Sequence, residues 1–416
     1  MAYPFYTEPT HNTGTITTGA RDTAVSRAEG RLIVDAVNKV FMLQVNNHPL
    51  TTLLTMKGKR YEGGAYKGAG LMTAPAYNDR FDCFEQLPSG KWCKVSGTYS
   101  TGAVTITVTG AGSQPGYIFT VGDVFINKRT GERMKVDTVA STTTITVASG
   151  GRSLGATAAA AGADGDELFI IGNANEQGSS SRNVNMVRTS KVTNYTQIFR
   201  DPVSLTGTEK ATKQYGLEPM KHLRMLKAIE HGEGIEKAFI FGEAGTTTGT
   251  NGKIENYTGG VLEHIESNSA YVQDQDGPLT APDFNAFLQN GFTYGAKEKM
   301  LMCGSQILGA LSEISRGQLQ TVVGDSTYGV AINKWIHPQG TIYIVHNPFL
   351  VEAYGGYGFL LDMSCYRYRY MDGRDTTLKL NIQANDADYE ADEYFTECGL
   401  ERNLSSKCAL IKNVTA

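Results

Sequence analysis

Four stretches of this 416-residue chain hold residue types that could do chemistry. MCGSQIL, at 302–308, sets a thiol and a hydroxyl two residues apart, as in the nucleophile segment of papain-type cysteine proteases. Gln306 and Ile307 stand where that pattern wants a second Cys and an aromatic residue, so the match ends after Cys303, Gly304 and Ser305. The structural reading is stronger: a buried strand runs into an amphipathic helix, and the Ser305 hydroxyl caps the helix start. NDADYEADEYFTE puts Asp386, Asp388, Glu390 and Glu397 at positions 1, 3, 5 and 12 of a calcium loop. The sharp turn of such a loop needs glycine at position 6, and Ala391 is there, so a solvated acidic loop is the better reading.

GEAGTTTGTNGKI is glycine-rich but lacks the phosphate-loop spacing, and Ile254 follows Lys253 where Ser or Thr would be needed. The fourth stretch is YRYRY, 366–370. Aromatic faces interleaved with guanidinium groups suit single-stranded nucleic acid. At the strand period of two, however, Tyr366, Tyr368 and Tyr370 share one face and Arg367 and Arg369 the other. Asp372 and Asp375 follow and cancel part of the charge. This leaves Arg367 and Arg369 as residues for an interface or for sequence-blind contact with DNA. The seven histidines show no HExxH or paired-ligand spacing, and the six cysteines form no CxxC pair. No cofactor, metal site or catalytic constellation is expected.

Composition bounds the elements that must position these residues. Apolar residues make up 40% and charged residues 19%, which is the balance of a folded chain with more than one core. Net charge is −4, without the basic surplus of a dedicated nucleic-acid binder. The opening residues lack an apolar signal segment and no stretch is long enough to span a membrane, so folding in a cytoplasm with free thiols is expected.

Along the chain, residues 1–30 are polar and read as an extended arm, and RLIVDAVNKVFML as a short helix. HPLTTLLTMKGKRYEGGAYKGAGLMTAPAYNDRFD reads as a long excursion that cannot bury itself alone. From Val95 to Arg182 apolar and polar residues alternate in four or five short segments, predicting a small antiparallel barrel or sandwich. EPMKHLRMLKAIEHGEGIEKAFIFGEA predicts the longest helix, with an interruption expected at Gly232 and Gly234 and Pro219 at or before its start. APDFNAFLQNGFTYG reads as a helix, KMLMCGSQILGALSEISRG as strand, cap and helix. KWIHPQGTIYIVHNP, GYGFLLDMS and TTLKLNIQA read as strands. The class is α+β with a β-rich insert.

The order of parts, with NYTQIFRDPVSLTGTEKATKQYGL at 194–217, the helix ending in GIEKAFIFGE, and VGDVFINKRTGERMKV followed by TITV and IIGNANEQG, resembles the tailed-phage major capsid proteins of the Hong Kong 97-type fold. The branch it looks most like is the phage SU-ten major capsid protein family. The resemblance runs from about residue 30 to the C-terminus.

That resemblance implies an N-terminal arm and short helix at 1–45, an extended loop at 46–94 and an inserted β-rich domain at 95–182. A peripheral-domain strand and spine helix would follow at 183–258, an axial domain at 259–365, and a return to the peripheral domain with C-terminal strands at 366–416. It implies a shell protein, not an enzyme, self-assembling as pentamers and hexamers around packaged double-stranded DNA. Scaffold, portal and decoration proteins would be its other partners, with no membrane, and assembly in the host cytoplasm would place it in the virion. Lys57, Lys59 and Lys67 lie in the loop that carries a crosslinking lysine in some relatives. Two other readings compete: a hydrolytic enzyme whose β-rich insert binds substrate, and a tail or adhesin component suggested by the Thr/Gly-rich insert.

Overall fold

The computed structural model describes residues 48–55, 73–87, 90–110, 115–147, 151–155, 158–183, 189–213, 218–314, 332–350 and 354–415. The arm, its short helix and Lys57, Lys59 and Lys67 lie outside the described residues. The described residues divide into two compact units: those within 48–199, 232–377 and 395–415 form the larger, and those within 200–231 and 378–394 the smaller.

In the larger unit, the stretch read as an unburied excursion is anchored at both described ends. Helix α1 (Pro49–Thr55) sinks Leu50 and Leu54 fully into the main core. Strand β1 (Thr73–Ala76) runs parallel to the YRYRY segment, and β2 (Arg80–Glu85) pairs farther along the chain. The sequence reading overlooked this because neither strand is long enough to show a period, and their partners lie more than a hundred residues away.

Six strands, β3 (Trp92–Val95), β4 (Thr105–Thr109), β5 (Asp123–Asn127), β6 (Arg133–Val139), β7 (Thr144–Val147) and β8 (Glu167–Asn173), close into a barrel in the order β3-β4-β7-β6-β5-β8. Every pairing is antiparallel. The inward residues, including Cys93, Ile106, Val108, Phe125, Met134, Ile145 and Leu168, form a core of their own. Closure removes the exposed edges that a small open sheet would present. In the β5–β6 turn, Asn127 Oδ1 accepts from the Arg129 and Thr130 N–H groups at 3.0 and 3.2 Å, and Gly131 takes φ +72°. Asn127 Nδ2 also donates to Tyr99 and Asp166 at 2.9 Å. Asp166 is paired with Arg129, which holds its carboxyl down at about 2.

Strand β9 (Ser190–Tyr195) pairs with β2, and β10 (Gln197–Thr206) follows. At Thr206-Gly207-Thr208 helix α2 (Gly207–Ala211) starts, capped by the Thr206 hydroxyl accepting from the Glu209 N–H. Helix α3 (Pro219–Phe241) is continuous for 23 residues, so the expected interruption at HGEG does not occur. Pro219 stands at its first position, where the missing N–H costs nothing. The two glycines cost about 1 kcal/mol each against alanine, which burial of Ile235, Phe239 and Ile240 outweighs.

Those glycines differ. A Cβ at Gly234 would meet nothing within 4 Å, whereas at Gly232 it would come 3.0 Å from His48 Nε2. Gly234→Ala should therefore raise stability by about 1 kcal/mol, with Gly232→Ala gaining none of it, as read from urea midpoints. Equal shifts in the two variants would refute this account of the helix.

Beyond α3, a hairpin of β11 (Gly245–Thr248) and β12 (Ile254–Tyr257) uses the glycine-rich stretch as its turn. Helix α4 (Val261–Glu266), β13 (Val272–Pro278), α5 (Ala281–Gly291), β14 (Glu298–Cys303), α6 (Ser305–Ile314), β15 (Ile332–His337), β16 (Gly340–His346) and β17 (Gly358–Leu361) come next. They are followed by β18 (Tyr366–Met371), β19 (Thr377–Lys379), β20 (Tyr389–Arg402) and β21 (Ala409–Thr415). TTLKLNIQA is a strand only at Thr377–Lys379; Leu380 and Ile382 are exposed.

Six of these make a mixed sheet in the order β13-β21-β17-β14-β16-β15. Met300–Cys303 of β14, Gly358–Leu361 of β17 and Ala409–Ile411 of β21 are buried on both faces, so these stretches read as unbroken apolar runs rather than alternations. Met300, Met302, Phe359, Leu361 and Leu410 face the core that holds α1, α3 and α4 residues. Leu301, Cys303, Leu360, Ala409 and Ile411 face the core of α5 and α6. In the smaller unit, β10 and β19 both pair with β20, and Val203, Leu205 and Met220 form a compact cluster. Arg224 reaches Asp392 at 2.6 Å and Arg200 reaches Glu393 at 2.7 Å.

Candidate functional site

YRYRY is strand β18, and backbone bonds hold it on both sides. Thr73 to Ala76 run parallel opposite Tyr368 to Met371, and Tyr366 to Tyr370 pair antiparallel with Arg402 to Cys398. One face therefore enters the core. Tyr366 is fully buried, with its hydroxyl 3.0 Å from His264 Nδ1 and 3.5 Å from Cys408 Sγ, to which it donates. Tyr368 donates to Asp375 Oδ1 at 3.0 Å and meets Phe239 edge-on at 5.9 Å. Rings in those positions offer no face to a base, so the stacking groove is absent.

The opposite face carries the arginines, and both turn to Glu401. Arg369 Nε forms a close ion pair with it, while its Nη1 donates to the Pro75 carbonyl at 3.0 Å. Arg367 Nη1 lies 3.9 Å from Glu401 and its side chain stays 54% exposed, so its charge is only partly spent. Chemically, this strand can pack and can present one guanidinium group to a surface; it cannot read a base.

The other sequence candidates are placed as follows. Cys303 is fully buried at the end of β14, and burial pushes its thiol up to about 12, which disarms it as a nucleophile. Ser305 begins α6, whose Gln306 N–H goes to the Gly355 carbonyl at 3.2 Å. Glu390 and Glu397 sit on β20, seven residues apart, hence on opposite faces and roughly 23 Å apart at strand rise. They cannot converge on one calcium ion. Among the described residues no three His, Cys, Asp or Glu side chains are placed to hold a metal, and no helix is long and apolar enough to cross a membrane.

A residue the sequence reading passed over is Glu236. It is fully buried on α3, where Oε1 accepts from the Leu50 N–H at 2.8 Å and Oε2 from the Thr51 N–H at 2.7 Å. Asn347 Nδ2 adds a third donor at 3.3 Å. The carboxyl thus caps α1 across 186 residues of sequence. Burial pushes its titration up while these donors pull it back. Its signal in the sequence was a glutamate three and four residues before Phe239 and Ile240, on the apolar stripe itself. Lys299 was equally hidden: it is buried in β14, with its ammonium donating to the carbonyls of Gly291, Tyr294 and Lys407.

A profile of the family described as SU10 major capsid protein matches residues 10–415. The "Major capsid protein" of Pseudomonas phage PaMx41 is 26% identical over 277 residues, 62% of this chain and 64% of that protein. The chain thus spans somewhat less than two thirds of that relative's length. Among solved structures, the holo-SrpI encapsulin complex of Synechococcus elongatus PCC 7942 superposes with a TM-score of 0.39 at 12% identity, covering 55% of this chain and 78% of that one. Microbacterium phage Oxtober96 gives 0.39 at 12%, covering 58% and 80%. Scores of that size leave the family match to carry the assignment. The α+β fold with its small closed barrel is that of a major capsid protein. Within that class, the chain belongs to the SU10 major capsid protein family.

Proposed function

We propose that this chain is the major head protein of a tailed bacteriophage, self-assembling into an icosahedral shell that encloses packaged double-stranded DNA. The observation that carries the reading is the family match across residues 10–415. A chain built to close shells gains stability from many repeated interfaces, so no single surface need be strong or catalytic.

On this reading residues 1–45 are an arm crossing neighbouring subunits and 46–94 a loop lying over one of them. The barrel within 95–182 decorates the outside or ties neighbours together. Residues 183–258 and 366–416 make the peripheral domain, and 259–365 the axial domain that meets around five- and six-fold positions. Pentamers and hexamers of the chain assemble in the host cytoplasm, with scaffold, portal and decoration proteins as further partners. The half-exposed Arg367 is suited to a neighbouring acidic surface or to a phosphate, by charge alone, with Arg369 more fully committed to Glu401. Lys57, Lys59 and Lys67 are the lysines to examine for a covalent link, which denaturing gels of particles would display as ladders.

Electron microscopy of the expressed protein, with its operon neighbours, tests the proposal. Closed shells are expected for the full chain, and folded but unassembled subunits when residues 1–30 are deleted. Persistent monomers that bind a small molecule saturably would overturn it in favour of an enzyme.

A further inference from the structure

We propose that Asn251 is a site of self-modification: the Gly252 backbone nitrogen attacks its side-chain amide, which becomes aspartate and isoaspartate with water as the one co-reactant. The chain has two Asn-Gly steps, Asn251–Gly252 and Asn290–Gly291. In each, glycine lacks the Cβ that would crowd the attacking nitrogen. The fold exposes one step to this chemistry and locks the other.

Asn251–Gly252 lies in the turn between β11 and β12, in the glycine-rich stretch that lacks phosphate-loop spacing. Asn251 is exposed, and no residue from Gly245 to Tyr257 is buried. The Gly252 N–H donates to the Gly249 carbonyl at 2.9 Å, and the Gly249 N–H to the Lys253 carbonyl at 2.8 Å. Among the described residues β11 and β12 pair only with each other. Ile254 is 72% exposed, and a tie from Asn256 Nδ2 to Asp79 at 3.1 Å holds the hairpin base. A two-stranded hairpin without a core is marginal and opens locally at little cost. Opening releases the Gly252 nitrogen and lets Asn251 turn its Cγ towards it.

Asn290–Gly291 ends α5. Asn290 Nδ2 donates to the Ala270 carbonyl at 2.7 Å. Gly291 is buried, its carbonyl accepts from the Lys299 ammonium, and a Cβ there would come 2.4 Å from Leu360. Here the helix end would have to unwind out of the core before the nitrogen could attack.

The step balances without an oxidant. The Gly252 nitrogen loses its proton to solvent base and bonds to Asn251 Cγ, closing a cyclic imide. The Cγ–Nδ2 bond breaks, and ammonia leaves with that proton. Water then opens the ring at either carbonyl. Breaking the new bond leaves aspartate; breaking the original peptide bond leaves isoaspartate, whose main chain is longer by one methylene. Either product adds a negative charge to the hairpin tip beside Lys253.

The test incubates the full chain at mildly alkaline pH, digests it in acid, and maps both Asn-Gly peptides by tandem mass spectrometry. Electron-transfer fragmentation separates isoaspartate from aspartate. The expected result is progressive loss of the Asn251 amide, with isoaspartate as the main product, while Asn290 keeps its amide. In urea-unfolded chain the two positions should convert at similar rates, which would assign the difference to the fold. Asn251→Gln should stop conversion at that position and leave Asn290 unchanged. An Asn251 that stays an amide in the folded chain, or equal rates at the two positions in the folded chain, would overturn the proposal.

Discussion

Glu236→Ala should lower the stability of the subunit by about 3–5 kcal/mol, the loss expected when a buried acceptor is removed and several donors are stranded at about 1–3 kcal/mol each. Three N–H groups converge on this carboxylate: two are orphan donors of the first turn of α1, and the third is the Asn347 amide. The Leu50 and Asn347 donors cannot turn to water, because both residues are fully buried, whereas Thr51 is half-buried. Glu236→Gln keeps the volume and one acceptor oxygen but sets an amide N–H₂ against a backbone N–H. It should cost about 1–2 kcal/mol, nearer a single lost hydrogen bond. Urea unfolding measures both, and hydrogen exchange at the Leu50 and Thr51 amides should quicken in step. A Glu236→Ala variant within 1 kcal/mol of the parent would mean that α1 is held by Leu50 and Leu54 alone.

Acid should destabilise the subunit well above the carboxylate range, and His264 should be the main cause. Its imidazole is buried between α4 and β18, with Nδ1 3.0 Å from the Tyr366 hydroxyl and no partner at Nε2 among the described residues. Burial, aided by the charge of Arg402, lowers its pKa from 6.5 to about 3. The sign follows from proton uptake: below 6.5 the unfolded chain binds a proton that the folded chain refuses until about pH 3. Stability is therefore full above 6.5 and is lost as pH falls, by about 1.4 kcal/mol per unit from this group. Between pH 6.5 and 5 the loss should come to roughly 2 kcal/mol. His48 and His337, also lowered by burial, add to it in the same direction. His264→Gln should flatten the dependence of the urea midpoint on pH in this window. Parallel curves for parent and variant would assign the acid response to other groups.

Much of the fold was legible because burial on one face leaves a period. The barrel strands alternate at two, and the apolar stripe of α3 recurs at helical spacing. Met300 to Cys303 of β14 and all of β17 are unbroken apolar runs because both faces are covered. The errors have a common origin. The pair Gly232 and Gly234 was read as an interruption from local propensity, yet tertiary burial of Ile235, Phe239 and Ile240 keeps α3 whole. TTLKLNIQA alternates like a strand, but only Thr377–Lys379 forms one, and Leu380 and Ile382 beyond it are exposed.

The site shows the same division. From its alternation alone, YRYRY had to put tyrosines on one face and arginines on the other, and a chain with no catalytic spacing pointed away from an enzyme. Which face is buried, and against what, is set by partners far along the chain: Tyr366 by His264 and Cys408, both arginines by Glu401, Glu236 by the first turn of α1. Periodicity records that a side chain leaves water, since that depends on its own position. It carries no record of the group that meets it there, because that contact exists only once separated segments are brought together.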